Sequence, residues 1–323
     1  MTYPDFLKLW RDADADDIEV STSGSTGAPK RILLPKRLMR MSAWRTIRHF
    51  GLDASSALHS CISPDYIGGK MMAVRAEECG AKLTFEPPSN TPELSIGPNE
   101  RLDLVAVVPS QMWHILQLPQ AARCRFLIGG SPIPPSLRQA IVAKGLDCHE
   151  SYGMTETASH IALRRIASGE SLFYPLPGVE VSLSDRETLT IRQGEDEPEI
   201  VTNDLASIHA DGGFEILGRA DNVIISGGLK IIPEDVERRV LPLLQPYGVD
   251  AVMLTSIPDA KWGESTVLIV ELPARENATS LPIPSADTII GLCRKVLRRH
   301  EVPKAVELTS TLPRTPNGKL KRH

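Results

Sequence analysis

The sequence predicts an α/β protein. A large N-terminal domain of mixed or parallel sheets flanked by helices, with an antiparallel sub-sheet, is followed by a small α+β C-terminal domain. Three observations carry this. The nearly continuous apolar runs at 102–108 and 124–128 each stop at Pro or Gly-Gly and lead into a helix-like segment. That is the pattern of buried parallel strands joined by crossover helices. From about 176 to 217 the texture changes to period-2 alternation broken by turns, which marks antiparallel strands. After Gly218-Arg219-Ala220-Asp221 a hairpin, a helix and strands start afresh. The expected division is therefore residues 1–219 and 220–323.

In chain order, residues 1–17 open with an amphipathic segment (Phe6, Leu7, Trp10) and turn acidic at 12–17. Short strands are expected at 18–20 and 31–34, a helix at 37–50, a strand at 58–62, a helix at 67–79 and a strand at 82–85. Gly80 sits where a helix C-terminal glycine belongs. Residues 86–100, rich in Pro, Ser, Asn and Glu, read as a surface loop. Pro109 stops the next strand and Ser110 is placed to cap the helix that follows. Gly129-Gly130 turns the strand after it into a helix running from Pro135 to a stop at Gly145. Ligands in such sheets gather beyond the carboxyl ends of strands, where Pro109-Ser110 and Gly129-Gly130-Ser131 both fall. A short strand then leads to a loop carrying Tyr152 to Thr157, with Thr155 and Glu156 on it. Asp211-Gly212-Gly213 is a hairpin signal. The C-terminal part reads as a hairpin turning at Gly227-Gly228, a helix at 233–244 and strands at 251–255 and 266–271. A Pro-rich loop at 273–284, a basic-ended helix at 286–300 and a strand at 306–308 complete it.

Composition narrows the function class. With 41% hydrophobic and 24% charged residues the 323-residue chain can bury a sizeable core. A net charge of −4 argues against a nucleic-acid partner. No apolar run approaches the roughly 20 residues of a membrane helix, and no basic-then-apolar leader is visible. Five scattered cysteines without a C-x-x-C pair suggest neither a disulfide framework nor a zinc site. A cytoplasmic location is expected.

The chemistry is concentrated first in Ser21-Thr22-Ser23-Gly24-Ser25-Thr26-Gly27-Ala28-Pro29-Lys30. Bare backbone lets N–H groups approach an anion closely, hydroxyls add donors, and the lysine ends the run with a point charge. The flanking apolar stretches make it a hairpin-like turn. Arg31 follows the lysine and no helix opens there, so the Walker pattern G-x-x-x-x-G-K-[ST] fails.

Three further stretches stand downstream in fixed order: "YGMTET", "TNDLA" with "GRADNVIISGGLKI", and "PRTPNGKLKR". With the loop, they resemble the adenylate-forming superfamily of acyl- and aryl-CoA ligases, carrier-protein adenylation domains and luciferases, over residues 18–323. The compact length and "CISPDYIGGKMMAVRA" are similar to the short o-succinylbenzoate–CoA ligases of menaquinone biosynthesis. Family members carry a long region before the phosphate loop. Here only 20 residues precede Ser21, so part of the large domain is expected to be missing, with homodimerisation as one way to cover it.

The resemblance implies ATP, Mg²⁺ and CoA, with a small carboxylate as the acid. Thr22, Ser23, Gly24, Ser25, Thr26, Gly27 and Lys30 would grip the β- and γ-phosphates, Thr155 would touch the α-phosphate, and Glu156 would hold Mg²⁺. Asp204 would take the ribose hydroxyls with Arg219 as its partner; Gly129, Gly130, Ser131, Tyr152 and Gly153 would shape the adenine site. Tyr66 and Lys70, one turn apart, would wall the acyl pocket, whereas Arg75 lies on another face and reads as snorkelling or structurally paired. Lys319 would be the catalytic lysine of a mobile C-terminal domain swinging about Asp221, with Gly227-Gly228 lining the thiol tunnel. His114 and His160 lack motif context and read as ordinary histidines. Two other classes stay open: an adenylation domain serving a carrier-bound thiol, and a non-catalytic nucleotide sensor.

Overall fold

The computed structural model describes residues 1–21, 30–272, 281–314 and 320–322. Helix α1 (Tyr3–Arg11) is started by a reciprocal cap. The Thr2 hydroxyl accepts from the Asp5 amide at 3.2 Å, and the Asp5 carboxylate accepts from the Thr2 amide at 3.1 Å. Its inner face buries Tyr3, Phe6 and Trp10. Strands β1 (Asp17–Ser21) and β2 (Arg31–Pro35) form an antiparallel ladder from Asp17 opposite Pro35 to Ser21 opposite Arg31. The two expected strands pair antiparallel in a two-stranded sheet, and residues 22–29 between them lie outside the described residues.

The main sheet is built from α2 (Lys36–Phe50), β3 (Ala57–Ser60), α3 (Ile67–Cys79), β4 (Lys82–Phe85), β5 (Leu102–Val107), α4 (Pro109–Ile115), β6 (Cys124–Ile128), α5 (Pro135–Lys144), β7 (Asp147–Met154), β8 (Ser159–Arg165) and β9 (Tyr174–Pro175). Strand order is β4-β3-β5-β6-β7-β8-β9. The first five are parallel and the last two antiparallel. Both faces are covered, which explains the unbroken apolar run of β5. Leu104 and Ala106 join a core with Met39, Met71 and Met72 of α2 and α3, whereas Val105 and Val107 join Met112, Leu137 and Ile141 of α4 and α5. Gly80 does close α3, at φ 71°.

A four-stranded antiparallel sheet follows in sequence order: β10 (Glu180–Leu183), β11 (Thr188–Arg192), β12 (Ile200–Ile208) and β13 (Phe214–Arg219). The rest comprises β14 (Ile224–Ser226), β15 (Leu229–Ile231), α6 (Pro233–Leu244), β16 (Val252–Asp259), β17 (Gly263–Glu271), α7 (Ala286–Val296) and β18 (Ala305–Thr309). Its sheet runs β15-β14-β17-β16, with β18 parallel beside β17. Val240, Leu244, Leu254, Leu268 and Ile289 form its own core. Near the chain end Arg314 forks onto Glu271 at 2.8 and 2.6 Å, and Arg322 forks onto Glu237 at 2.8 and 2.6 Å.

Four details differ from the sequence reading. Ser110 does not cap α4. Pro109, which needs no N–H partner, takes the first helical position, so the cap falls to Val108, whose amide is held by the Gln111 side chain at 3.0 Å. Strand β7 extends through Tyr152 and Gly153 to Met154 because β8 turns back and pairs with it, leaving only residues 155–158 as turn. Helix α7 ends at Val296 and not at 300, since Leu297 is extended and the Glu301 carboxylate captures the Arg298 amide at 2.8 Å. Arg75 does not snorkel: it is 1% exposed within the core, and its structural partners are Ser159 and His160.

Candidate active site

Three residues far apart in sequence converge where β7 meets the antiparallel sheet. Asp204 on β12 and Arg219 on β13 face each other across the ladder, and an Arg219 Nη donates to Asp204 Oδ1 at 3.2 Å. The Tyr152 hydroxyl donates to Asp204 Oδ2 at 2.7 Å. Arg219 also forks onto both oxygens of Asp221 at 2.9 and 2.8 Å. One guanidinium thus binds the carboxylate in the ladder and the first residues leading to β14. Burial, reinforced by the Asp204 carboxylate, pushes the Tyr152 phenol far up, so it stays a donor.

Sequence reasoning missed what braces Tyr152. Its ring lies 5.5 Å from Phe214 in an edge-on contact and 5.8 Å from Phe173. Those two phenylalanines bridge backbone to backbone at 2.8 and 2.9 Å. Two aromatics so far apart carry no local signal.

The turn between β7 and β8 presents Thr155 half-buried and Glu156 exposed. The Thr157 hydroxyl accepts from the Met154 amide at 2.9 Å and donates to the Ser159 carbonyl at 2.7 Å. Ala158 and Ser159 both lie at positive φ, 52° and 87°, a strained backbone for residues with a Cβ. Gly153 must be bare because a Cβ there would stand 2.3 Å from the Ser159 carbonyl oxygen. Gly129, just past β6, is less constrained: a Cβ would lie 2.5 Å from Ser151 Oγ, a side-chain hydroxyl that would have to turn from the Ile128 carbonyl it bonds at 3.1 Å. Gly130 has φ 91°, and Ser131 follows it half-buried at this carboxyl end of the sheet.

Tyr66 precedes α3 and is exposed. Lys70 is buried, and its ammonium donates to the carbonyls of Pro64 and Asp65 at 2.6 and 3.2 Å. Burial lowers its pKa against the opposing pull of Asp65. Arg75 is different. It approaches Ser159 Oγ at 3.5 Å and His160 Nδ1 at 3.4 Å, and its Nε has no partner among the described residues. Burial depresses the guanidinium's pKa, as expected for a desolvated cation without an anion. His160 is held neutral by burial and by Arg75. Thr46 donates to the Ser42 carbonyl at 3.3 Å, so His160 Nε2–H donates to Thr46 at 3.1 Å and Nδ1 faces Arg75.

Lys30 is exposed at the entry to β2. The phosphate-loop residues Thr22 to Gly27 and the terminal Lys319 lie outside the described residues. Gly227 and Gly228 form the β14–β15 turn at φ 58° and 78°, and Gly227 is covered by Trp262, whose ring a Cβ would meet at 2.7 Å. Among the described residues no helix is long and apolar enough to cross a membrane.

The family model for AMP-binding enzymes matches residues 20–203, more than half of the chain. The chain belongs to the AMP-binding enzyme family. The model for the C-terminal domain of AMP-binding enzymes matches residues 243–319. A solved acyl-CoA synthetase (AMP-forming)/AMP-acid ligase II-like protein from Dyadobacter fermentans is 30% identical, with a TM-score of 0.62 over 98% of this chain and 90% of that one. The o-succinylbenzoate CoA synthetase of Bacillus subtilis, solved with its acyl-adenylate, gives a TM-score of 0.76 at 22% identity, over 94% of this chain and 67% of that one. The 2-succinylbenzoate–CoA ligase of a Geobacillus strain is 27% identical over 95% of this chain and 68% of its own length. Tyr152, Thr155, Glu156 and the loop before β2 fall inside the family's main match.

Proposed function

We propose that this AMP-binding enzyme is an AMP-forming ligase that activates o-succinylbenzoate as its acyl-adenylate and passes the acyl group to CoA. The observation that carries the nucleotide half is the convergence of Tyr152, Asp204 and Arg219, followed within the same β7–β8 connection by Thr155 and Glu156. A carboxylate oxygen attacks the α-phosphorus of ATP and pyrophosphate leaves; the thiolate of CoA then displaces AMP. The first step brings an anion to a polyanion, so donors and cations are the main requirement.

In this reading Asp204 accepts from both ribose hydroxyls and Arg219 holds it in place. Thr155 donates to the α-phosphate. Gly129, Gly130, Ser131 and Gly153 give adenine a wall of backbone beside Tyr152. Thr22, Ser23, Gly24, Ser25, Thr26, Gly27 and Lys30 hold the β- and γ-phosphates. Glu156, an exposed hard-oxygen donor on a locked turn, fits Mg²⁺, which takes few protein carboxylates and completes its shell with phosphate oxygens and water. Bound there, the ion would offset phosphate charge.

Arg75 supports a diacid. A buried guanidinium without an anion is costly, and a non-reacting carboxylate on the acid would supply one. It lies on α3, beyond Tyr66 and Lys70, beside Ser159 at the end of the Thr155–Glu156 turn. Lys70 remains in the proposed pocket, with two of its three donors already used by carbonyls. The test is ATP–pyrophosphate exchange over a panel of aryl and acyl monoacids and diacids, with CoA thioester as second readout. Exchange with o-succinylbenzoate above all others is expected. Exchange confined to fatty acids or amino acids would overturn the substrate.

The division at residue 220 belongs to the same proposal, supported by the short turn Ala220–Asn222 between two separate sheets. Residues 220–323 would swing about Asp221, bringing Lys319 to the reacting oxygens in the first step and the Gly227-Gly228 turn to the thiol in the second. A cytoplasmic location and a homodimer complete the reading; fractionation and light scattering test them.

A further inference from the structure

We propose that His59, Cys61 and Glu86 form a binding site for a single Zn²⁺ at the β3–β4 edge of the main sheet, independent of the nucleotide and acyl sites. The placement follows from strand geometry. His59 on β3 is in register with Thr84 on β4. Residues two apart share a face, so Cys61 and Glu86, each just past its strand, continue the side occupied by His59 and Thr84. The three donor atoms lie within 4.8 Å of one another, the one such group among the described residues. His59 and Cys61 are 5% and 1% exposed.

Hydrogen-bond accounting gives a second observation. The Thr84 hydroxyl lies 2.8 Å from His59 Nδ1 and 3.3 Å from the Leu58 carbonyl, so it holds the ring through its second nitrogen. His59 Nε2 thereby faces Glu86 Oε1, 2.9 Å away. A hydrogen bond joins the two here, and a bound metal ion would take the place of the bridging proton. The Cys61 thiol points at the same oxygen from 3.3 Å, while the Glu93 amide fixes the other carboxylate oxygen at 2.9 Å. A histidine oriented through its second nitrogen and a carboxylate oriented by a backbone amide are the supports that metal ligands require.

The donor set selects the ion. Nitrogen, thiolate sulfur and one carboxylate oxygen suit borderline Zn²⁺ and not Mg²⁺. Tetrahedral Zn²⁺ places such donors about 3.3–3.7 Å apart; the two Glu86 pairs stand at 2.9 and 3.3 Å, and all three donors lie within 4.8 Å. Glu86 keeps a fifth of its side chain exposed, which leaves a path for water to the fourth position. The ion would tie the start of the 86–100 loop to residues 61–66 ahead of α3. No sequence motif announces this, because the ligands come from two strands and C-x-x-C spacing is absent.

The test uses the untagged full chain, stripped with chelator and titrated with Co²⁺ as a spectroscopic probe, then with Zn²⁺. One Co²⁺ per chain should give a thiolate-to-cobalt charge-transfer band and intense tetrahedral visible bands, both displaced by one equivalent of Zn²⁺. The bands should vanish in Cys61→Ala and His59→Gln and persist in Cys124→Ala. Thr84→Val, which leaves all three ligands in place, should weaken Zn²⁺ binding about 10–100-fold. A wild-type spectrum showing only weak octahedral bands overturns the proposal whatever the variants do. So does a sulfur band that survives Cys61→Ala.

Discussion

Replacing Arg322 by alanine should destabilise the C-terminal part by about 3–5 kcal/mol, the range for removing one partner of a buried ion pair. The structure puts this pair in that class. Arg322 and Glu237 side chains are 12% and 11% exposed, and the two donor bonds measure 2.8 and 2.6 Å. An Arg322 Nη also reaches the Leu254 carbonyl at 3.1 Å, and Glu237 Oε1 accepts the Leu254 amide at 2.6 Å. After Arg322→Ala the carboxylate keeps one amide donor and loses its cation. In Glu237→Gln/Arg322→Met the amide donor keeps an acceptor and only the part-exposed Glu234, which Arg322 Nε meets at 3.3 Å, loses a cation, so about 2 kcal/mol should return. Urea unfolding followed through Trp262, the one tryptophan after residue 113, measures both. A loss below about 1 kcal/mol for Arg322→Ala, or a double variant no better than the single, would refute the idea that this pair pins the chain end. Arg322 stands three residues after Lys319, so ATP–pyrophosphate exchange should fall further than thioester formation from supplied acyl-adenylate.

Lys319→Ala should abolish adenylate formation yet convert supplied acyl-adenylate and CoA, and Gly228→Trp should do the reverse; equal slowing of both half-reactions counts against a swinging domain. Tyr152→Phe removes a bond to a carboxylate, so KM for ATP should rise roughly 10-fold, about 1.5 kcal/mol, with unfolding little changed; an unchanged KM removes Tyr152 from the nucleotide site. Arg75→Met should raise KM for a diacid more than for ATP, and Lys70→Met should show which cation carries the effect; equal effects on both substrates leave Arg75 structural. His160, kept neutral below its ordinary 6.5 by burial and Arg75, takes no proton in the folded state while the unfolded chain does. Stability should therefore fall as pH drops below 6.5 toward the folded value, by up to about 1.4 kcal/mol per pH unit. His160→Gln should flatten that slope, and an unchanged slope would place the effect elsewhere.

Much of the fold was legible because its signals are local. Gly80 and Gly145 end helices, and the apolar run of β5 reports a strand covered on both faces. Local readings failed where a partner decided. Pro109 displaced Ser110 from the cap, and β8 pairing drew Tyr152 and Gly153 into a strand. At the site, motifs named Tyr152, Asp204 and Arg219 and paired the last two, but only the fold shows that Tyr152 bonds to Asp204 as well. For Arg75 structural pairing is what the fold shows and snorkelling is not, because helical spacing gives a direction and says nothing of what covers it. Its neighbours Ser159 and His160 arrive from β8, more than 80 residues on.

The left-handed pair Ala158–Ser159 has a consequence for anyone stabilising this protein. At Ala158 the loss of a fully buried methyl offsets the relief, but glycine at Ser159 would relieve about 1–2 kcal/mol of backbone strain and lose about 0.5–1 to the greater freedom of the unfolded chain. The net gain is small and favourable, so thermal selection would keep such a change. Turnover would decline, because the turn that holds Thr155 and Glu156 would lose the stiffness that aims them. A library ranked by melting temperature would drift toward sturdier, slower molecules at this turn, and only a parallel activity screen would see the exchange.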